Sequence, residues 1–384
     1  MLEGVNPRLI FAVVFAAGLS ALMWYDRKNV ERHSILFVRR TTKGIDLLDK
    51  IAKKAPRFWN AYGWTGVFFA LLSIPLMLLQ IGWILNELVL KQNFAQGPSA
   101  ILPSLSSEAS IQAGASFIPV EYWVFSIAII MVVHEASHGI IARLEDFEIN
   151  SVGWIVLGIL PGAFVEPKGE KMLPEGGETE GDSTGLWDQG TYKQRLKVLA
   201  AGSWANYVTA AVLFILSIGV TMAVASPSIM YDAQEGFPAS EAGMTSGTLT
   251  SVNNVTIEEI GDVETALEGV NPGDNVTVES SERDEAFTFE AGSREGFEGG
   301  YLGLEFQNLT SGWAWFIGLL NMAALLNLLI GLFNMLPAKP LDGGQIVYTF
   351  VEEFGTEDQR KYVNYFSVLM WVIVLGSLIA GLVL

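Results

Sequence analysis

Six stretches of this chain are apolar for long enough to cross a lipid bilayer, near residues 8–25, 64–90, 119–142, 198–225, 312–336 and 364–384. A helix rises 1.5 Å per residue, so roughly 20 apolar residues match the hydrocarbon core. A soluble protein of 384 residues, 51% of them hydrophobic, would have to hide all six runs inside itself. The expected class is therefore a polytopic α-helical membrane protein with about six transmembrane helices. The first run lacks a basic segment before it and is followed at once by Asp26-Arg27-Lys28, so it reads as a retained helix rather than a cleaved signal.

The third run contains Met131-Val132-Val133-His134-Glu135-Ala136-Ser137-His138-Gly139. A His, a Glu and a second His four positions after the first form the H-E-x-x-H pattern. On a helix the two imidazoles lie on one face, one turn apart, and can bind a single metal ion. Glu135 projects from a neighbouring angle, where it can reach a water on that metal as general base. The chain has only three histidines, and two of them stand at this spacing inside an apolar span. Ionisable groups in lipid are costly and point to function. With no cysteine available, any metal must be held by His and carboxylate. His33, among solvated charges, reads as surface.

Charge orients the chain. Residues 26–57 carry ten Lys or Arg against four acids, which makes this loop cytoplasmic by the positive-inside rule. Threading from there places 91–118 and 227–311 outside and 144–196 and 337–362 inside, with both termini outside. Residues 227–311 hold 17 acids and two bases, −15 of the chain's −18, together with the three sequons Asn254, Asn275 and Asn308. Short β-like runs at 248–252, 275–278 and 286–289 and a helix near 260–269 suggest a small soluble α+β domain there. An acidic exterior excludes nucleic acid as a partner. The domain plan is 1–118 for the N-terminal helices and basic loop, 119–226 for the first part of the core, 227–311 for the inserted domain and 312–384 for the rest.

Three further segments carry chemistry. Residues 150–166, broken by Gly153, Gly158, Pro161 and Gly162, are too short to span and read as a membrane-associated hairpin beside the metal helix. Residues 167–192 read as a flexible cytoplasmic connector. In the fourth run, Gly202 allows close packing, while Asn206 is a strong polar group that serves either as packing glue or as a donor to substrate. After the fifth run, Asn334-Met335-Leu336-Pro337-Ala338-Lys339-Pro340-Leu341-Asp342-Gly343-Gly344 breaks the helix and presents a carboxylate. Asp342 is thus the favoured third ligand, with Asn334 as polar partner and Glu166 as the rival ligand.

These motifs together resemble the site-2 protease family of intramembrane metalloproteases. The matching pieces are His134-Glu135-Ala136-Ser137-His138, Gly162-Ala163-Phe164-Val165-Glu166-Pro167, and Asn334-x-x-Pro337-x-x-Pro340-Leu341-Asp342-Gly343-Gly344, with similarity from about 119 to 353. The inserted domain is similar to the PDZ modules of such proteases through Pro238-Ala239-x-x-Ala242-Gly243-Met244, Gly247, Val252-Asn253 and Pro272-Gly273-Asp274. The resemblance implies Zn2+ on His134, His138 and Asp342, Glu135 as catalytic acid/base, and single-span membrane proteins as substrates. It also implies that Gly202 and Asn206 match a substrate-contacting Gly-Pro-x-x-Asn motif, in which Ser203 replaces the proline. The hairpin would offer a strand edge to an unwound substrate. Competing readings are a zinc peptidase of another family using Glu166, a non-catalytic scaffold, and a metal transporter. The last is weakened by the lack of internal repeats. Oligomeric state is silent.

Overall fold

The structure is a computed structural model that describes residues 6–33, 36–92, 97–106, 109–112, 114–157, 160–168, 187–224, 228–294, 299–307 and 311–383. In chain order the elements are α1 (Pro7–Tyr25), β1 (Val30–His33), β2 (Leu36–Thr41), α2 (Ile45–Lys54), α3 (Pro56–Leu85), β3 (Ala100–Ser104), β4 (Ser110–Gln112) and β5 (Ala115–Pro119). Then come α4 (Val120–Leu144), β6 (Ile149–Leu157), β7 (Leu160–Pro167), α5 (Tyr192–Val224), β8 (Met230–Ala233), α6 (Pro238–Glu241), β9 (Ser246–Val252), β10 (Val255–Thr256) and α7 (Ile260–Ala266). The chain ends with β11 (Asn275–Ser280), β12 (Arg283–Glu290), β13 (Leu304–Gln307), α8 (Ser311–Asn334), α9 (Asp342–Phe354) and α10 (Glu357–Val383).

Among the described residues, six helices are long and apolar enough to cross a membrane: Pro7–Tyr25, Pro56–Leu90, Val120–Leu144, Tyr192–Val224, Gly312–Asn334 and Glu357–Val383. They coincide with the six apolar runs of the sequence. Their outward faces carry large side chains such as Leu79 (72% exposed) and Val132 (65% exposed), an arrangement that water would penalise and lipid would not.

Two compact units divide the chain: Met1–Phe214 with Asn321–Leu384, and Ile215–Leu320. In the first, an antiparallel sheet of order β1-β2-β6-β7 lies beside α4. The expected hairpin is β6 and β7, paired from Ile149↔Pro167 to Leu157↔Leu160. The basic segment 26–57 is not the plain loop that its charge suggested. Its Leu36–Thr41 run pairs with β6 from Leu36↔Leu157 to Thr41↔Val152, so β6 is bonded on both sides and β7 is the edge. One face of the sheet closes on helices, with Ile149, Val152 and Val165 packed among Leu48 and Ala52 of α2 and Ile140 of α4. Asp49 of α2 accepts from Arg143 Nη2 at 3.1 Å, near the C-terminal end of α4. Ala100–Ser104, Ser110–Gln112 and Ala115–Pro119 form the sheet β3-β5-β4, and Asp342–Phe354 is helical. Of the connector read at 167–192, residues 169–186 lie outside the described residues.

The residues of α4 explain its span: no Gly or Pro interrupts it before Gly139, Arg143 stands in its last turn, and Asp146 at φ 65° turns the chain out. The break after α8 has an equally local cause. Met335, Leu336 and Ala338 are fully buried, and the first turn of α9 lies directly against them. A Cβ on Gly343 would overlap the Met335 backbone, with its Cα at 2.7 Å, and one on Gly344 would overlap Ala338 and Lys339. Two glycines are what allow the segment to fold back on itself.

The second unit contains a sheet of order β12-β11-β9-β8-β13, with β10 folded onto β9. Asn253 and Asn254, at φ 49° and 69°, supply the two-residue turn between Val252 and Val255. The core is formed by Val252, Val276 and Val278, all fully buried, with Met244, Leu249 and Ala239 around them. A capping box opens α7: the Asp262 carboxylate accepts the N–H groups of Glu258 and Glu259, both at 2.8 Å, which holds its pKa below the usual carboxylate range. The sequon Asn308 lies outside the described residues.

Gly153 is the tightest point of the first unit's sheet, since a Cβ there would strike the Arg39 carbonyl oxygen and stand 2.8 Å from the Phe164 ring. Gly153→Ala should cost about 1–3 kcal/mol by overpacking, read as a lowered thermal midpoint in detergent. An unchanged midpoint would contradict the pairing of β2 with β6.

Candidate metal centre

The i and i+4 spacing on α4 brings the His134 and His138 rings together, with Nε2 atoms 3.0 Å apart. The third member arrives from about two hundred residues away. Asp342, the first residue of α9, places Oδ2 at 3.4 Å from His134 Nε2 and 3.5 Å from His138 Nε2. A tetrahedral ion with bonds of roughly 2.0–2.1 Å has ligand atoms about 3.3–3.4 Å apart, so these three donors fit the corners of one site. Among the described residues they form the one His/Asp/Glu group able to hold a metal ion. The side chains are 10%, 14% and 15% exposed, which leaves the centre mostly shielded from solvent.

Each histidine is oriented from behind. The Val198 carbonyl of α5 lies 2.7 Å from His138 Nδ1 and, as a pure acceptor, fixes the proton on that nitrogen and leaves Nε2 free for metal. His134 Nδ1 meets the Asn206 amide at 3.1 Å. Its Nδ1 must also be the protonated nitrogen if Nε2 binds metal. With His134 Nδ1 as the donor, the Asn206 amide faces it best with Oδ1 accepting. Read from the sequence as packing or as a substrate contact, Asn206 is wholly buried against the His134 ring.

Gly202 has a steric role. A Cβ there would overlap His138 Nε2 and stand 2.6 Å from His134 Nε2, inside the space a ligated ion requires. The next residue, Ser203, sits with Oγ 3.5 Å from Asp342 Oδ2. One turn of α5 thus supplies the gap, a hydroxyl beside the carboxylate and an amide behind the ring.

Glu135 lines the same cavity of about 190 Å³ as His134, His138 and Asp342, and Asn334 is also in its wall. The Val165 N–H of β7 donates to Glu135 Oε2 at 3.1 Å, so the free edge of the hairpin faces the carboxylate between the two histidines. Glu166 is elsewhere. Its carboxylate is 2% exposed, accepts from Ser151 Oγ at 2.8 Å and Asn150 Nδ2 at 3.2 Å, and lies 3.7 Å from Arg40 Nε. The contributions of Val198 and Val165 are backbone atoms whose side chains carry no signal; only the structure reveals them.

Comparison with known proteins agrees with this chemistry. The sequence profile of peptidase family M50 matches residues 122–375, about two thirds of the chain. The chain belongs to peptidase family M50. With its six apolar helices, it is a multi-pass membrane protein of that family. An uncharacterised protein of Methanocaldococcus jannaschii is 24% identical over 374 residues, covering 92% of each chain. A protein of Clostridium acetobutylicum that bears the provisional name zinc metalloprotease is 25% identical over 180 residues, 42% of this chain and 50% of its own length.

Asp342→Asn should lower bound metal in the purified protein to less than about a tenth of the wild-type content. Gly202→Ala should do the same by filling the gap between the rings, whereas Glu166→Gln should keep its metal. Loss of metal from Glu166→Gln with retention in Asp342→Asn would reverse the assignment.

Proposed function

We propose that this protein is an intramembrane zinc metalloendopeptidase that hydrolyses peptide bonds within or near the transmembrane segments of single-span membrane proteins. The observation that carries this reading is the convergence of His134, His138 and Asp342 donor atoms, with Glu135, on one cavity between apolar helices. His134, His138 and Asp342 would hold the ion. When bound, zinc supplies Lewis acidity toward a carbonyl oxygen and brings the pKa of water down to about 7.

The chain's own residues do the rest. Glu135 takes the proton of the attacking water and returns it to the leaving amine. Its Oε2 is held by Val165 N–H, which leaves Oε1 for that transfer. Asn334 in the cavity wall offers an amide to the substrate backbone. Gly202 keeps the space between the imidazoles open, and Asn206 holds His134 in the tautomer that presents Nε2. Retention of Glu135 between two intact histidines speaks against a non-catalytic scaffold, which has no need of a base.

A helix hides its own carbonyls in hydrogen bonds, so the substrate must be unwound before attack. The hairpin edge suits that task by adding the substrate as a further strand, a mode in which backbone bonds provide affinity. The edge is β7, because β6 is already bonded on both sides. The basic segment 26–57 fits a cytoplasmic face and the acidic Ile215–Leu320 unit an extracytoplasmic one. That unit, read as PDZ-like, would filter substrates by size or by a free carboxyl terminus.

Glu135→Gln should retain the metal and reduce cleavage by at least about 10²-fold. Comparison of membranes holding the wild type with membranes holding this variant should show an uncut single-span protein accumulating with the variant. Undiminished cleavage by Glu135→Gln would remove the proposed chemistry. Ala163→Pro, which deletes the N–H two residues before Val165 on the same edge of β7 and leaves the Val165–Glu135 bond in place, should abolish cleavage while metal content stays unchanged; full activity would eliminate β7 as the docking edge.

A further inference from the structure

Segment 30–54 precedes the residues matched to the family, 122–375, yet it is built into the side of the site. β2 is bonded to β6 along its whole length, and α2 packs behind α4, where Leu48 Cδ1 would lie 2.6 Å from a Cβ placed on Gly139. One ion pair crosses the sheet from this segment to the edge strand. Arg40 stands opposite Gly153 and Gly153 opposite Phe164, so Glu166, two residues further along β7, shares a face of the sheet with Arg40. Glycine at 153 presents no side chain between them. Arg40 Nε lies 3.7 Å from Glu166 Oε2, the carboxylate is 2% exposed, and among the described residues Arg40 is its only cationic partner. On its other side Arg40 Nη1 donates to Glu31 of β1, so one guanidinium on β2 is hydrogen-bonded to β1 and reaches β7 by charge attraction rather than by a hydrogen bond.

The residue before Glu166 is the one that matters for chemistry. Val165 N–H bonds Glu135 Oε2, so wherever Glu166 is pinned, the adjacent N–H is pinned too. A slip of one residue along β7 would turn that strand's faces over and remove the donor. We propose that Arg40 and Glu166 are a positioning pair that fixes β7 in register against Glu135. Segment 30–54 is then a working part of the proteolytic unit rather than a linker between spanning helices. The proposal rests on the protease reading given above for its functional consequence, and on the sheet alone for its structural one.

Hydrogen–deuterium exchange of the metal-loaded full chain in detergent tests it, together with turnover of a transmembrane peptide. Arg40→Gln leaves a buried carboxylate with its Ser151 and Asn150 hydrogen bonds but no cation beside it, and should raise exchange over 161–168 by about ten-fold or more, with a similar loss of kcat, while exchange in α10 stays put. Arg40→Gln combined with Glu166→Gln removes the stranded charge. It should return exchange to within about three-fold of the wild type, a coupling that two independent structural residues would not show. Arg40→Lys, which keeps the charge, should fall between and serves if Arg40→Gln does not fold. Unchanged exchange over 161–168 in Arg40→Gln, or a double variant as loose as or looser than the single, would overturn the pair. Failure of the wild type to cleave any transmembrane peptide would count against the protease reading instead, with the exchange results still deciding for or against the brace.

Discussion

Polar side chains placed among apolar helices must compensate one another, and the architecture of the first unit follows from that requirement. Two imidazoles and a carboxylate meet with donor atoms 3.0–3.5 Å apart, and each has a polar group of α5 beside it. The Val198 carbonyl fixes the proton of His138, the Asn206 amide stands behind His134, and Ser203 lies beside Asp342. Removal of any one partner would leave a buried polar atom without its hydrogen bond.

Backbone geometry supplies what side chains cannot. Gly202 opens the gap that the rings point into, and Gly343 and Gly344 let the segment after α8 fold back so that α9 begins with Asp342 at the site. The hairpin contributes an N–H rather than a side chain, and that N–H reaches Glu135 because β7 is the last strand of its sheet. An edge strand is ordinarily a liability, since its unpaired groups recruit other chains. Under the proposed function, the same property suits the capture of an extended substrate.

Much of this was legible in the sequence, for reasons that can be named. The six spanning helices depend only on length and hydropathy, which any window of residues reveals. The histidine pair depends on helical spacing alone, and Asp342 was visible because two prolines and two glycines beside it had no other purpose. The hairpin was visible through its glycines. What stayed hidden was long-range pairing. Leu36–Thr41 looked like a charged loop because its arginines masked a strand whose partner lies more than a hundred residues on. Glu166 stood as the rival to Asp342 because its distance from His138 along the chain is plausible, whereas its partners, Arg40 and Ser151, come from other strands. Asn206 was recognisable as important but not as a support for His134, since nothing in a sequence says which buried amide faces which ring.

The central claim is that one ion is held jointly by two residues of α4 and one of α9. Anomalous diffraction at the zinc absorption edge, on crystals of the full chain grown with zinc, addresses it most directly. The account predicts a single strong peak about 2.0–2.1 Å from each of His134 Nε2, His138 Nε2 and Asp342 Oδ2. A peak bonded to Glu166 in place of Asp342, or no peak between the two rings, would contradict it.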